Sequence, residues 1–173
     1  PMLPEKLSGD ICSLHEGKDR LTLSFMAEID EHAWIYNWKF HESVIRSSAS
    51  LNYDEVPEFL DGKKSKKFGE AGIALKNMLK ISLELRKKRL EKGSLDFDLP
   101  EAKVFLDAEG KVIDILARAR MPSHQIVEEF MLLANKYTAS YLESAGAPLL
   151  FRVHAKPDKD KINNFAEIVS EMG

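Results

Sequence analysis

Residues 21–40 read LTLSFMAEIDEHAWIYNWKF, and the periodicity of this stretch decides the fold class. Leu21, Leu23, Phe25, Ala27 and Ile29 alternate with Thr22, Ser24, Glu28 and Asp30, the period-two pattern of a half-buried strand. Trp34, Tyr36, Trp38 and Phe40 resume the alternation on a second segment. Between them Asp30, Glu31 and His32 have the composition of a turn. Strands joined this closely can only pair antiparallel, because a parallel crossover needs a dozen or more residues. The stretch therefore predicts a β-hairpin.

Outward from the hairpin, residues 1–20 carry Pro1, Pro4, a Gly9-Asp10 turn and HEGKD at 15–19, and read as loop. Downstream, Asn52 followed by Glu55 has the spacing of an N-cap and its third-position partner, opening a short helix through Leu60. DGKKSKKFG at 61–69 is a basic loop bounded by glycines. A long helix is expected over about 71–92, with Ala74, Met78, Ile81 and Leu85 on one stripe and Gly93 as its stop. Residues 102–119 predict a second hairpin turned at Glu109-Gly110. A helix over about 122–145 starts at Pro122, carries Ile126, Phe130, Leu133, Tyr137 and Tyr141 on its apolar stripe, and stops at Gly146. PLLFRVH at 148–154 reads as a short strand, and 158–172 as a final helix with Ile162, Phe165, Ala166, Val169 and Met172 in register. The order β-β-α-α-β-β-α-β-α lacks strict βαβ alternation. It predicts an α+β fold, a mainly antiparallel sheet of hairpins packed with three long helices, over one segment spanning 1–173.

Composition narrows the function classes. The hydrophobic fraction of 44% and charged fraction of 31% are those of an ordinary globular chain. A net charge of −3 offers no global field for a polyanion, so nucleic acid would have to use local cations. Cys12 is the sole cysteine, which rules out an internal disulfide and a cysteine zinc site and suits a reducing, cytoplasmic setting. No apolar run approaches the roughly 20 residues of a membrane span, so no membrane partner is expected. A chain that opens on Pro1 ahead of Met2 is expected to be part of something longer, with exposed apolar surface that favours self-association.

Few residues point to chemistry by themselves. Asp96 and Asp98 share a strand face, but two carboxylates supply too few oxygens for a hydrolytic magnesium site. Phe97 between them alternates with Leu95 and Leu99 as a buried strand residue would. His15, His32, His41, His124 and His154 form no i, i+4 metal pair. The basic runs Lys63–Lys67 and Arg86–Arg89 read as solvated faces that could touch phosphate. In the apolar helix around IVEEFMLLAN (126–135), Glu129 is expected to reach solvent. Glu128 must be paired or at a cavity edge, and a salt bridge and a ligand contact stand equal for it. Tyr53, where strand hands over to helix, could bond a ligand through its hydroxyl, but taken alone it reads as a residue that covers the core.

Taken together, six stretches in one order resemble the catalytic (RNB) domain of the ribonuclease II family, in its ribonuclease R branch: MLPEKLSGDICSL (2–14), GKDRLTLS (17–24), FHESVIRSSASLNYDEV (40–56), GSLDFDLPEAKVFLD (93–107), IVEEFMLLAN (126–135) and LLFRVHAKPD (149–158). The resemblance covers nearly the whole chain and is weakest over 61–90. It implies the middle part of a magnesium-dependent 3′–5′ exoribonuclease domain that degrades single-stranded RNA processively to nucleoside 5′-monophosphates. By motif, Phe97 corresponds to the aromatic that stacks on bases near the 3′ end. Tyr53 and Glu128 correspond to positions that contact the sugar-phosphate chain and favour ribose. The metal-binding aspartates and the catalytic arginine of that family lie outside the matching stretches. The resemblance therefore implies no catalytic residue, no metal ligand and no activity for the segment alone. Two alternatives stand beside it: a stand-alone, non-catalytic RNA- or protein-binding module, and an unrelated enzyme built on Asp96, Asp98 and Glu128.

Overall fold

A computed structural model describes residues 2–62, 68–69, 71–95, 101–118 and 121–172. The chain divides into two compact units, Pro1–Lys136 and Tyr137–Gly173.

In the first unit, β1 (Asp19–Ile29) and β2 (Ile35–Arg46) form the expected antiparallel hairpin, with Asp19 opposite Arg46 and Phe25 opposite Phe40. Asp30 supplies what an Asn-Gly turn would otherwise provide. Its Oδ1 accepts from the backbone N–H groups of His32 at 3.0 Å and Trp34 at 2.8 Å, and Ala33 takes the left-handed conformation at φ 55°. At the open end Arg46 donates to both carboxylate oxygens of Asp19, at 2.6 and 2.9 Å, and this bond holds the guanidinium pKa above its ordinary value.

Phe25, Trp38 and Phe40 cluster on one face of the hairpin, with Phe25 and Phe40 centroids 5.2 Å apart. The same face does not stay buried along its length. Leu21 and Leu23 are exposed, because nothing among the described residues covers that end of the hairpin. On the opposite face the hydroxyls of Thr22 and Ser24 bond Ser43, at 2.9 and 2.6 Å, and these polar residues are half-buried instead.

The loop expected over residues 1–20 contains one wide helical turn, Lys6–Ile11, in which the Cys12 N–H donates to Leu7 O at 2.9 Å. Arg20 pins it from β1, donating to Asp10 Oδ1 at 2.9 Å and Ser13 O at 2.8 Å. These bonds join residues 7 and 10 positions apart, farther than a turn or cap pattern reaches, so the loop composition misled.

Asn52 caps α1 (Glu55–Leu60) as its spacing predicts, Oδ1 accepting from the N–H groups of Asp54 at 3.1 Å and Glu55 at 2.9 Å. The long helix α2 runs Ala71–Glu91. Of the expected stripe, Met78, Ile81 and Leu85 are half-buried. Gly72 and Ser82 are buried, whereas Ala74 is exposed. Small residues let neighbours approach: the Phe59 ring, itself stacked on Phe68 at 4.3 Å, fills the space beside Gly72. Gly72→Ala would drive a methyl into that ring. Ala gains about 1 kcal/mol of helix propensity over Gly, and overpacking costs about 1–3 kcal/mol. A net loss of about 1 kcal/mol is expected in chemical denaturation.

At the far end of α2, Gly93 at φ 92° closes a paired cap: its N–H donates to Leu90 O at 2.9 Å, and Ser94 N–H to Arg89 O at 3.2 Å. The second hairpin pairs β3 (Glu101–Leu106) with β4 (Val112–Arg118). Its turn is held by Asp107 Oδ1, which accepts from Glu109 and Lys111 N–H at 3.1 and 2.7 Å, with Gly110 at φ 82°. The two hairpins remain separate two-stranded sheets among the described residues, rather than one larger sheet. The helix α3 spans Pro122–Ser144, and its first turns bury Ser123, Ile126 and Glu129.

In the second unit α4 (Lys159–Met172) is capped by Asp158, whose Oδ1 accepts from Asp160 N–H at 2.8 Å. The strand expected at 148–154 does not form. A strand needs a neighbour to satisfy its backbone groups, and no described segment pairs with this one. Leu150 and Val153 stand exposed. The α+β class holds, with helices and antiparallel hairpins in separate runs of the chain.

Candidate functional site

The first two turns of α3 bring together Ser123, His124, Glu128 and Glu129, with Tyr53 packed against them. Ser123, buried at the start of the helix, donates its hydroxyl to Tyr53 O at 2.8 Å. That bond spans the gap between the β2–α1 connection and α3. Next to it the Tyr53 ring stacks on His124, with centroids 4.2 Å apart and planes within 17°. His124 is itself held, its Nδ1 accepting from Met121 N–H at 3.3 Å. The Asn52 cap fixes the backbone just before Tyr53. Tyr53 keeps 41% of its surface exposed, so it lines a surface and is not core filler.

Glu128 follows His124 by four residues. Positions so spaced lie one above the other on a helix, about 5–6 Å apart at Cβ. Tyr53 and Glu128 are therefore brought to one end of α3 through His124, although they lie far apart in sequence. Phe97, with Asp96 and Asp98, lies outside the described residues, as do Lys63, Lys64, Lys66 and Lys67.

Glu129 corrects the expectation that it reaches solvent. It is buried at 3% exposure, and Arg89 on α2 covers it. Arg89 Nη2 lies 2.6 Å from Glu129 Oε1, and Nε donates to both oxygens at 3.2 and 3.4 Å. The same Nη2 reaches Glu128 Oε1 at 3.4 Å. One turn back, Arg86 donates to Gln125 Oε1 at 3.3 Å. Lys88 Nζ lies 3.8 Å from the centre of the Trp34 ring. The run 86–89 is thus a packing face between helices and hairpin, and only in part a solvated one.

Arg89, Ser123, His124 and Glu129 were missed from the sequence as members of the site. One signal was available. Adjacent residues on a helix point about 100° apart, so of Glu128 and Glu129 in an apolar stretch one must turn inward and find a cation. Arg86 and Arg89, three apart, match the spacing of Gln125 and Glu128 on the facing helix.

Among the described residues, no three His, Cys, Asp or Glu side chains come together in a way that could hold a metal ion. The resemblance assigns the family's magnesium to aspartates outside the matching stretches, so none of the described residues is given a metal-binding role. No helix among those residues is long and apolar enough to cross a membrane.

The sequence matches the RNB domain family over residues 1–172. Ribonuclease R of Aquifex aeolicus is 41% identical over 174 residues, covering 99% of this chain and 25% of that protein. Ribonuclease R of Thermotoga maritima is 39% identical over 175 residues, covering 100% of this chain and 25% of that one. Among solved structures, Mycoplasma genitalium RNase R in complex with ribose-methylated single-stranded RNA superposes at a TM-score of 0.92 and 28% identity, over 99% of this chain and 27% of that one. The chain spans about a quarter of the length of the relatives it matches. A match along almost its whole length, in sequence and in fold, places this chain in the RNB domain family, with ribonuclease R-like sequence and structure.

Proposed function

We propose that the chain is the middle part of a ribonuclease R-type catalytic domain and forms one wall of the path along which single-stranded RNA is drawn. The whole protein, on this reading, hydrolyses RNA processively from the 3′ end with magnesium and releases nucleoside 5′-monophosphates in the cytoplasm. The segment itself binds and orients; by itself it does not cleave. The observation that carries this reading is the convergence of Tyr53 and Glu128 on the first two turns of α3. One solved relative that superposes on this chain is in complex with ribose-methylated single-stranded RNA, and another with double-stranded RNA.

The chemistry of each residue suits its role. A carboxylate at position 128 accepts from a ribose 2′-hydroxyl, a group DNA lacks. Tyr53 offers a half-exposed ring and hydroxyl, restrained by His124 beneath it. Phe97 adds a stacking face for a base, a contact worth about 1–3 kcal/mol.

The test is a titration of labelled oligo(rA) and oligo(dA) of equal length, at one salt concentration, against the full-length protein and its Tyr53→Ala variant. RNA is expected to bind more tightly than DNA, and the variant to bind RNA about tenfold more weakly, in line with the loss of one aromatic contact. Equal affinities for RNA and DNA, or an unchanged RNA affinity in the folded variant, overturn the reading. The segment alone, given 3′-tailed RNA and magnesium, is expected to release no nucleoside monophosphate; RNA binding without any cleavage by the full-length protein would favour a non-catalytic binding module.

A further inference from the structure

Arg89 touches two carboxylates that have different surroundings. Glu129 is buried, so it needs a permanent cation. Glu128 keeps a third of its side chain exposed, as a ligand contact must. The buried pair immobilises the guanidinium: three of its contacts, at 2.6, 3.2 and 3.4 Å, go to Glu129. The backbone of Arg89 is fixed as well, because its carbonyl accepts from Ser94 N–H in the helix cap. The contact of 3.4 Å from Nη2 to Glu128 Oε1 therefore comes from a donor held in place by the buried pair.

A glutamate at the surface of a helix has three side-chain torsions to settle before it can accept a hydrogen bond in one direction. Tying one of its oxygens to a fixed donor removes much of that freedom in advance. We propose that Arg89 is a positioning residue: its buried pair with Glu129 anchors a guanidinium that orients Glu128 for the ribose 2′-hydroxyl. This rests on the reading of Glu128 as a ribose contact.

A planar fork can serve two carboxylates at once, whereas an ammonium is a compact point charge. Arg89→Lys therefore keeps a cation beside Glu129 but loses the bridge. A second variant, Arg89→Met with Glu129→Met, removes the buried pair altogether and leaves no orphaned charge. The readouts are thermal unfolding and the ratio of oligo(rA) to oligo(dA) affinity in the full-length protein, with Glu128→Ala as reference, since a glutamine there would still accept from the hydroxyl. Both Arg89 variants are expected to fold and to lower the ratio about tenfold, which is about 1.4 kcal/mol. Adding Glu128→Ala to either should lower it no further, because the two residues act as one unit. If Glu128→Ala lowers the ratio and the folded Arg89 variants do not, Arg89 is structural only and the proposal is overturned. If the folded Glu128→Ala variant leaves the ratio unchanged, the ribose reading fails first and the proposal falls with it.

Discussion

Arg89→Met is expected to lower the unfolding free energy by about 3 kcal/mol, the low end of the range for breaking a buried ion pair. The physical reason is what stays behind. Glu129 is 3% exposed, and without the guanidinium it must keep an unpaired charge in the interior or take up a proton to fold. The low end applies because 28% of the Arg89 side chain still meets solvent. Removing both partners has a different outcome. Arg89→Met with Glu129→Met replaces the pair by apolar volume and is expected to unfold within about 1 kcal/mol of the parent, since such replacements are often neutral. Urea denaturation of the single and double variants measures the coupling directly. Equal losses in Arg89→Met and in the double variant would show that the pair contributes packing alone.

Ile126→Ala is expected to cost a further large amount, about 3 kcal/mol, within the range for removing a buried aliphatic side chain. Ile126 is the most deeply buried apolar side chain among the described residues, at 2% exposure. It lies three residues after Ser123 and three before Glu129, on the same buried face of α3. Its loss opens a cavity under the two residues that tie this helix to Tyr53 and to Arg89. The denaturation midpoint should fall with the slope unchanged, because the surface exposed on unfolding is nearly the same. A loss below about 1 kcal/mol would mean that the site can collapse around the missing methyl groups.

Local order was legible in advance. The alternation at 21–40, the Asn52 cap, the Gly93 and Gly146 stops and the Glu109-Gly110 turn all depend on residues within a few positions of one another. Burial was less legible. Leu21 and Leu23 have the right period for a buried face and remain exposed, while Thr22 and Ser24 are half-covered. The 148–154 segment has strand composition and no partner among the described residues, so composition could not make it a strand. Likewise the 86–89 run reads as solvated until α3 is placed opposite it.

The sequence by itself determined the α+β class, the two hairpins, the approximate limits of the four α-helices and, through motif resemblance, the RNB domain family. These follow from hydrophobic period, caps and turn residues, or from ordered motifs, none of which requires knowing what lies across the fold. Only the tertiary structure decided which of Glu128 and Glu129 turns inward, that Arg89 serves both, and that Tyr53 stacks on His124 above the start of α3. A charged side chain has no preference for burial of its own. Its place is set by whether the fold brings an opposite charge within reach, and that partner is 40 residues away along the chain.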